Sequence, residues 1–271
     1  MVPCVAHALL FQDNALNGAL RPLIGRNPAR ADLRLARFRF WEALDMRDYG
    51  VYLDREDAGR KLAERVAHRT WTDPVVLGIP RGGVAVGAQV AKRLAAPLRL
   101  IIPRKLPIPG NPEAGFGAVM GDGTVALNNR LVQGAGILPD EIEEIVKSVR
   151  AEVQRREREY DVGAPPVPLA DKTVIVTDDG LATGFTMIAA LRSARKQGPE
   201  KLVCAVPVSP VDSLSRVKGE ADEVVCLIAK DVYSFAVASF YQDFHDMTDD
   251  EVRAFLLEAL ARERKQGKDK G

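Results

Sequence analysis

From Asp54 onward, short continuous apolar runs alternate with stretches whose apolar residues recur every three to four positions. The runs VVLGI (75–79), LRLII (98–102), TVIVT (173–177), KLVCAVPV (201–208) and EVVCLIA (223–229) are short and mostly β-branched or aliphatic, and each predicts a strand. Between them, Ala58, Leu62, Ala63 and Val66 lie at helical spacing behind a cap near Asp54. VAVGAQVAKRLA (84–95) predicts a helix of small residues that can pack closely on a sheet. The segment 140–160 places Ile142, Ile145, Val146, Val149 and Val153 on one side of a long amphipathic helix, with the charge run at 154–159 solvated. A helix at 185–198 is stopped by Gly198-Pro199, and another capped helix is predicted near 212–218. Strands apolar on both faces, separated by helices, predict an α/β fold: a mostly parallel sheet flanked by helices. Ligands of such sheets sit beyond the carboxyl ends of the strands, which singles out the loops after 79, 102 and 177.

Three segments break the alternation. Residues 103–123, PRKLPIPGNPEAGFGAVMGDG, are crowded with Pro and Gly and predict a long functional loop, with TVALN (124–128) a short strand returning from it. Residues 1–45 contain several Arg but no Lys and keep no steady period. They are read as an N-terminal extension: disordered, a docking helix at 31–44, or upstream sequence before a true start at Met46. Residues 46–262 then form the main domain, with a small hood near 230–247, and 263–271 form a charged, frayed tail.

Composition narrows the function classes. Of 271 residues, 46% are hydrophobic and 28% charged, which suits a soluble globular chain. Lys+Arg (38) and Asp+Glu (37) nearly cancel, so no overall field recommends a nucleic acid or an anionic membrane as partner. The three cysteines have no paired spacing, and Cys204 and Cys226 sit inside apolar runs where a thiol acts as a small hydrophobe. These features, with no apolar run of membrane-spanning length, predict a cytoplasmic protein.

The candidate chemistry centres on DDGLATGFT (178–186). A buried strand delivers Asp178 and Asp179 side by side, and Gly180 and Gly184 bracket the turn into a helix. Glycines allow close approach or positive φ, and a helix start offers free N–H groups and partial positive charge, which favour a phosphate. Thr183 and Thr186 add hydroxyl donors. The two carboxylates suit vicinal hydroxyls, a magnesium ion or a developing positive charge. A ribose 5-phosphate satisfies both halves. A nucleoside-triphosphate loop would need Lys after the glycine, where Phe185 stands, and a dinucleotide loop would need G-x-G-x-x-G.

VIVTDDGLATGFT resembles the phosphoribosyl-pyrophosphate (PRPP) signature of the type I phosphoribosyltransferases. The similarity covers roughly 54–252 and looks closest to a little-characterised microbial branch. It implies that Asp178 and Asp179 hold the ribose hydroxyls and, through waters, Mg2+, and that Gly180, Leu181, Ala182, Thr183, Gly184 and Thr186 hold the 5-phosphate. GIPRGG (78–83) resembles the pyrophosphate loop, so Arg81 and Gly82 would take pyrophosphate oxygens, with Gly82 and Gly83 permitting a strained or cis backbone. Residues 103–128 occupy the place of the mobile catalytic loop, where Arg104 and Lys105 would close over the leaving group. Glu113 is a weaker candidate for orienting substrate. Phe235, Phe240 and Tyr241 in the hood could stack a flat acceptor, whereas His245 is read as structural or solvent-facing. The implied reaction joins PRPP to a nitrogen acceptor, most often a nucleobase, with release of pyrophosphate. A protein that keeps the pocket as a PRPP or nucleotide sensor is the alternative. The expected partners are PRPP and the acceptor, with a homodimer allowed and no nucleic acid or membrane.

Overall fold

The computed structural model describes residues 50–232 and 234–268. The readings made for residues 1–45 lie outside the described residues.

Asp54 starts the ordered pattern as expected, its carboxylate accepting the Asp57 N–H at 2.7 Å and capping helix α1 (Arg55–Ala67). The apolar runs become β1 (Val75–Gly78), β2 (Leu98–Leu100), β6 (Thr173–Thr177), β7 (Lys201–Pro210) and β8 (Glu223–Lys230). They form one parallel sheet in the order β2-β1-β6-β7-β8. Helices α2 (Gly82–Leu94) and α5 (Phe185–Arg195) follow β1 and β6, α6 (Val211–Val217) follows β7, and α7 (Asp249–Lys268) closes the chain.

Period-two alternation along the strands feeds two cores. Val76, Ile175, Val203 and Val225 pack with Leu62, Val66, Val86, Val90, Val252 and Leu256 of α1, α2 and α7. Val75, Val174, Val176 and Cys204 pack with Met187, Leu191 and Leu214 of α5 and α6. Cys204 is fully buried, and burial pushes its thiol far above the ordinary range; Cys226 is partly buried and is pushed up to about 11 by the same cause. Both act as apolar filler. The chain leaves β1 toward β2 on one side and reaches β6 on the other, so β1 and β6 flank the topological switch point, where such sheets bind ligands. Among the described residues no helix is long and apolar enough to cross a membrane.

The segment expected to be a long loop is instead an antiparallel sheet. β3 (Arg104–Ile108), β4 (Asn111–Val119) and β5 (Val125–Leu127) pair in the order β3-β4-β5. Leu106, Phe116 and Val119 form its apolar side, covered by Ile142, Ile145, Val146 and Val149 of α4 (Pro139–Glu159, preceded by the short α3, Asn129–Gly134). Prolines hide this pattern in the sequence. Pro107 sits on edge strand β3 at register shifts, where a missing N–H costs no ladder bond. Gly117 is a packing glycine, since a Cβ there would lie 3.1 Å from Leu127 Cα.

Of the tail expected at 263–271, residues 263–268 belong to the last described helix. α7 continues to Lys268, and Glu263 accepts from both terminal nitrogens of Arg99 at 2.9 and 3.0 Å. The hood is a short 3-10 turn (Val237–Phe240) followed by an extended segment, zipped to the start of the domain by Tyr52 N–H to Phe240 O at 3.0 Å and Gln242 N–H to Tyr52 O at 2.8 Å.

Candidate active site

β6 ends by delivering the two acids. Asp178 Oδ1 accepts the Asp179 N–H at 2.9 Å, which turns the first carboxylate back over the loop. Asp179 Oδ2 accepts from Arg55 Nε at 2.8 Å, and these side chains are only 17% and 9% exposed. Arg55 is itself fixed: its Nη1 donates to the His245 carbonyl at 2.8 Å, and its guanidinium lies 3.8 Å from the centroid of the Phe244 ring. The Tyr241 hydroxyl donates to the Asp179 carbonyl at 2.6 Å. Burial, and then the charge of Asp179, push the Asp178 carboxyl well above the usual carboxylate range. Burial also raises Asp179, against the opposing pull of Arg55. The Tyr241 hydroxyl is pushed up by burial and by Asp179.

The β1 loop approaches from the neighbouring strand. The Pro80–Arg81 peptide is cis, and α2 starts on Arg81 with no side-chain cap. Gly82 and Gly83 are buried, and neither has positive φ; what requires glycine is proximity. A Cβ on Gly82 would collide with the Asp179 carboxylate and stand 2.6 Å from Arg55 Nε. One on Gly83 would stand 2.6 Å from Thr177 O and 2.8 Å from Asp178 Cα. Arg81 is 42% exposed, its Nη1 3.9 Å from Asp249 Oδ1.

The loop 180–186 divides its labour differently from the sequence expectation. Gly180 is buried, and a Cβ there would stand 2.7 Å from both Val208 and Val237. Leu181 is buried and donates its N–H to Val208 O at 2.9 Å. Leu181 therefore anchors the loop, and its N–H, already paired with Val208, does not face a phosphate as the resemblance implies. The Ala182 carbonyl accepts from Ser213 Oγ at 2.6 Å, fixing the bend, while Thr183 is exposed. Gly184 has φ of +83° and begins α5 without a side-chain cap, so the first N–H groups of that helix lack an intrahelical acceptor. Thr186 lines the same cavity as the acids.

That cavity, about 290 Å³, is bounded by Arg55, Arg81, Gly82, Asp178, Asp179 and Thr186, with Pro103, Phe244, Asp246 and Met247 along its rim. A larger cavity of about 690 Å³ lies by Met120, Asp122, Glu157 and Leu169 and contains neither the acid pair nor the glycine loops, so size does not locate the chemistry.

Other expectations are corrected. Arg104 and Lys105 stand on strand β3, not in a loop, and neither lines the cavity. Arg104 pairs with Glu152 of α4 at 2.8 Å, and the Lys105 stem lies across Gly115. Phe240 and Tyr241 are each 6% exposed and pack with Tyr52, so their rings belong to the hood's own core and are not free to stack an acceptor. Phe235 packs on Phe240 with ring centroids 5.2 Å apart. The ring on the cavity is Phe244. The side chain of Glu113 lies outside the described residues. His245 is exposed, its ring bridging Asp243 and Glu251 at 3.2 and 2.9 Å.

Sequence reasoning missed Arg55, Phe244, Asp246 and Met247. Arg55 reads as an ordinary first helical residue after a cap, and its partner is 124 positions away. The sequence singles out Tyr241 for its ring, whereas its hydroxyl is what reaches the acid loop. Tyr241→Phe is expected to cost about 1 kcal/mol of stability by leaving the Asp179 carbonyl without its donor. Urea unfolding of the two proteins checks this; an unchanged midpoint would show the bond to be energetically idle.

A model of the phosphoribosyl transferase domain matches residues 142–243. A Mycobacterium tuberculosis protein whose name proposes a phosphoribosyl transferase is 44% identical over 206 residues, 76% of this chain and 46% of that protein. The chain thus spans about half the length of the curated relative it matches. A Thermococcus gammatolerans uracil phosphoribosyltransferase is 32% identical over 87 residues, 32% of this chain and 39% of that one. A Thermus thermophilus protein known by crystal structure is 38% identical, with 76% of this chain and 98% of that chain covered and a TM-score of 0.64.

Proposed function

We propose that the chain, which carries a match to the phosphoribosyl transferase domain and shares 44% identity with a relative named for that activity, transfers the ribose 5-phosphate of PRPP to a nitrogen acceptor, most simply a nucleobase, releasing pyrophosphate. The observation that carries the reading is the convergence of Asp178, Asp179, Arg81, Gly82 and Thr186 on one cavity at the switch point between β1 and β6. In this reading the 5-phosphate lies at the start of α5, held by Thr183, Thr186 and the open N–H groups after Gly184. Arg81 takes pyrophosphate oxygens, and the acids accept from the ribose hydroxyls. When the C1–O bond breaks, positive charge develops on the ribose beside two carboxylates, and negative charge develops on pyrophosphate beside Arg81. The flat acceptor enters past Phe244 and Met247 on the rim.

Magnesium fits this donor set. No group of three or more His, Cys, Asp or Glu among the described residues is arranged to hold a metal, so the protein offers at most the two adjacent carboxylates. Mg2+ typically takes one or two carboxylates and completes its shell with water and phosphate oxygens. Its chemical contribution would be to neutralise charge on the leaving pyrophosphate.

PRPP with Mg2+ is expected to stabilise the full chain by about 2.7 kcal/mol at a hundredfold excess over Kd. Thermal unfolding reads this, and pyrophosphate release across a panel of bases then identifies the acceptor. No stabilisation by PRPP would overturn the reading. Stabilisation without turnover on any base would replace it with PRPP sensing.

A further inference from the structure

We propose that Arg55 is a resident counter-ion that keeps the acid pair from taking up a free divalent cation, so that metal enters this cavity only together with the sugar diphosphate. The inference rests on the reading of Asp178 and Asp179 as the ribose and metal acids, and it adds a function to a residue outside every motif of the sequence. Two adjacent carboxylates facing one cavity are the kind of donor pair to which a hard divalent cation binds. Here one of them already has a cation. Arg55 Nε stands 2.8 Å from Asp179 Oδ2, and a guanidinium does not lose its charge in a protein.

Arg55 is also unable to swing away at low cost. The His245 carbonyl holds Nη1 at 2.8 Å, the Phe244 ring covers the guanidinium face at 3.8 Å, and the side chain is 9% exposed. The carbonyl that holds it belongs to a segment tied down on both sides, because the His245 ring spans Asp243 and Glu251, and Glu251 accepts from the Thr248 N–H at 2.6 Å. Asp179 is held from the other direction by Gly82 beneath it and by Tyr241 on its carbonyl. The pair plus Arg55 therefore presents a net charge no more negative than −1, too little to strip water from a hard cation that dehydrates reluctantly. PRPP supplies what is missing: phosphate charge and a diol, on a molecule that carries Mg2+ with it. Metal and PRPP then bind as one, and neither pyrophosphate nor sugar is met by a metal already in place.

The test uses Mn2+ in place of Mg2+, with free Mn2+ followed by electron paramagnetic resonance in the presence of the full chain. The unmodified protein is expected to retain no Mn2+ at about 0.1 mM, and to retain it once PRPP is added. Arg55→Met, which keeps an apolar stem on Phe244 and removes the charge, is expected to tighten Mn2+ binding without PRPP by about tenfold or more. Arg55→Lys restores a cation and is expected to restore the refusal. Tight Mn2+ uptake by the unmodified protein alone overturns the proposal whether or not the variants fold, as does a folded Arg55→Met with unchanged Mn2+ affinity. Adding Asp178→Asn to Arg55→Met should erase the gained site; Mn2+ retained there would lie elsewhere, and the proposal falls. PRPP affinity of Asp178→Asn alone reports on the underlying site reading, so failure of that reading is seen separately.

Discussion

Asp178→Asn is expected to make the ligand-free protein more stable at neutral pH and, in the same molecule, to weaken PRPP binding by about ten- to a hundredfold. Both effects come from one cause. The Asp178 carboxylate is largely buried and set beside Asp179, and each circumstance disfavours its charge. Its carboxyl is therefore harder to ionise in the folded protein than in the unfolded chain. The folded state binds that proton more tightly, so stability falls as pH rises from the unfolded value through the raised folded value, and the loss is complete above it. Asn has the same shape, keeps an oxygen to accept the Asp179 N–H, and carries no charge. Removing a penalty of this kind is worth about 1–2 kcal/mol, or a few degrees in Tm for a domain of this size. Loss of one charge-assisted hydrogen bond to a ribose hydroxyl, about 1.5–3 kcal/mol, accounts for the fall in affinity. Asp179 would not behave this way, because its removal strands Arg55. Calorimetry from about pH 4, the unfolded carboxylate value, up to pH 8 checks the first half: the Tm advantage of the variant over the parent should widen as pH rises. A Tm difference that does not widen as pH rises, or a variant less stable than the parent, would show that Asp178 is not held against its charge.

The fold was largely legible because its strands are short, apolar on both faces and bounded by breakers, which leaves little choice but a covered parallel sheet. The antiparallel sheet after Pro103 was not. Pro107 and Gly117 are there for an edge strand and a close backbone approach, and a linear reading cannot tell those uses from a loop. The acid pair and glycine loops were visible as a local motif. What holds them was not, because Arg55 and Tyr241 reach Asp179 from 124 and 62 positions away. The same limit explains Leu181. A motif places it among the phosphate-loop residues, but only the pairing of its N–H with Val208 reveals an anchor. Burial separated Phe240 and Tyr241 from Phe244, three rings that look equivalent in the sequence.

Glycine 82 offers the sharpest test of the geometry. Gly82→Ala is expected to lower kcat/KM by about a hundredfold while the protein still unfolds cooperatively. The added methyl has no room: it would meet the Asp179 carboxylate and, at 2.6 Å, Arg55 Nε. Both are side chains, so the site can relax by moving them, at an overpacking cost of about 1–3 kcal/mol. The relaxation breaks the alignment the reaction depends on, and a displacement near 1 Å typically costs about a hundredfold in rate. Gly83→Ala is the instructive neighbour. Its methyl would press on Thr177 O and Asp178 Cα, which are backbone atoms of the strand end and cannot step aside. That variant should lose more stability than Gly82→Ala, with activity falling because the sheet is disturbed. Gly134→Ala, at the end of α3 with nothing within 4 Å of its added methyl, should leave both properties alone. Measuring Tm and kcat/KM for all three separates the cases. If Gly82→Ala keeps the parent's kcat/KM, the close contact between the β1 loop and Asp179 does not position the reacting groups, and the assignment of Gly82 to the site fails with it.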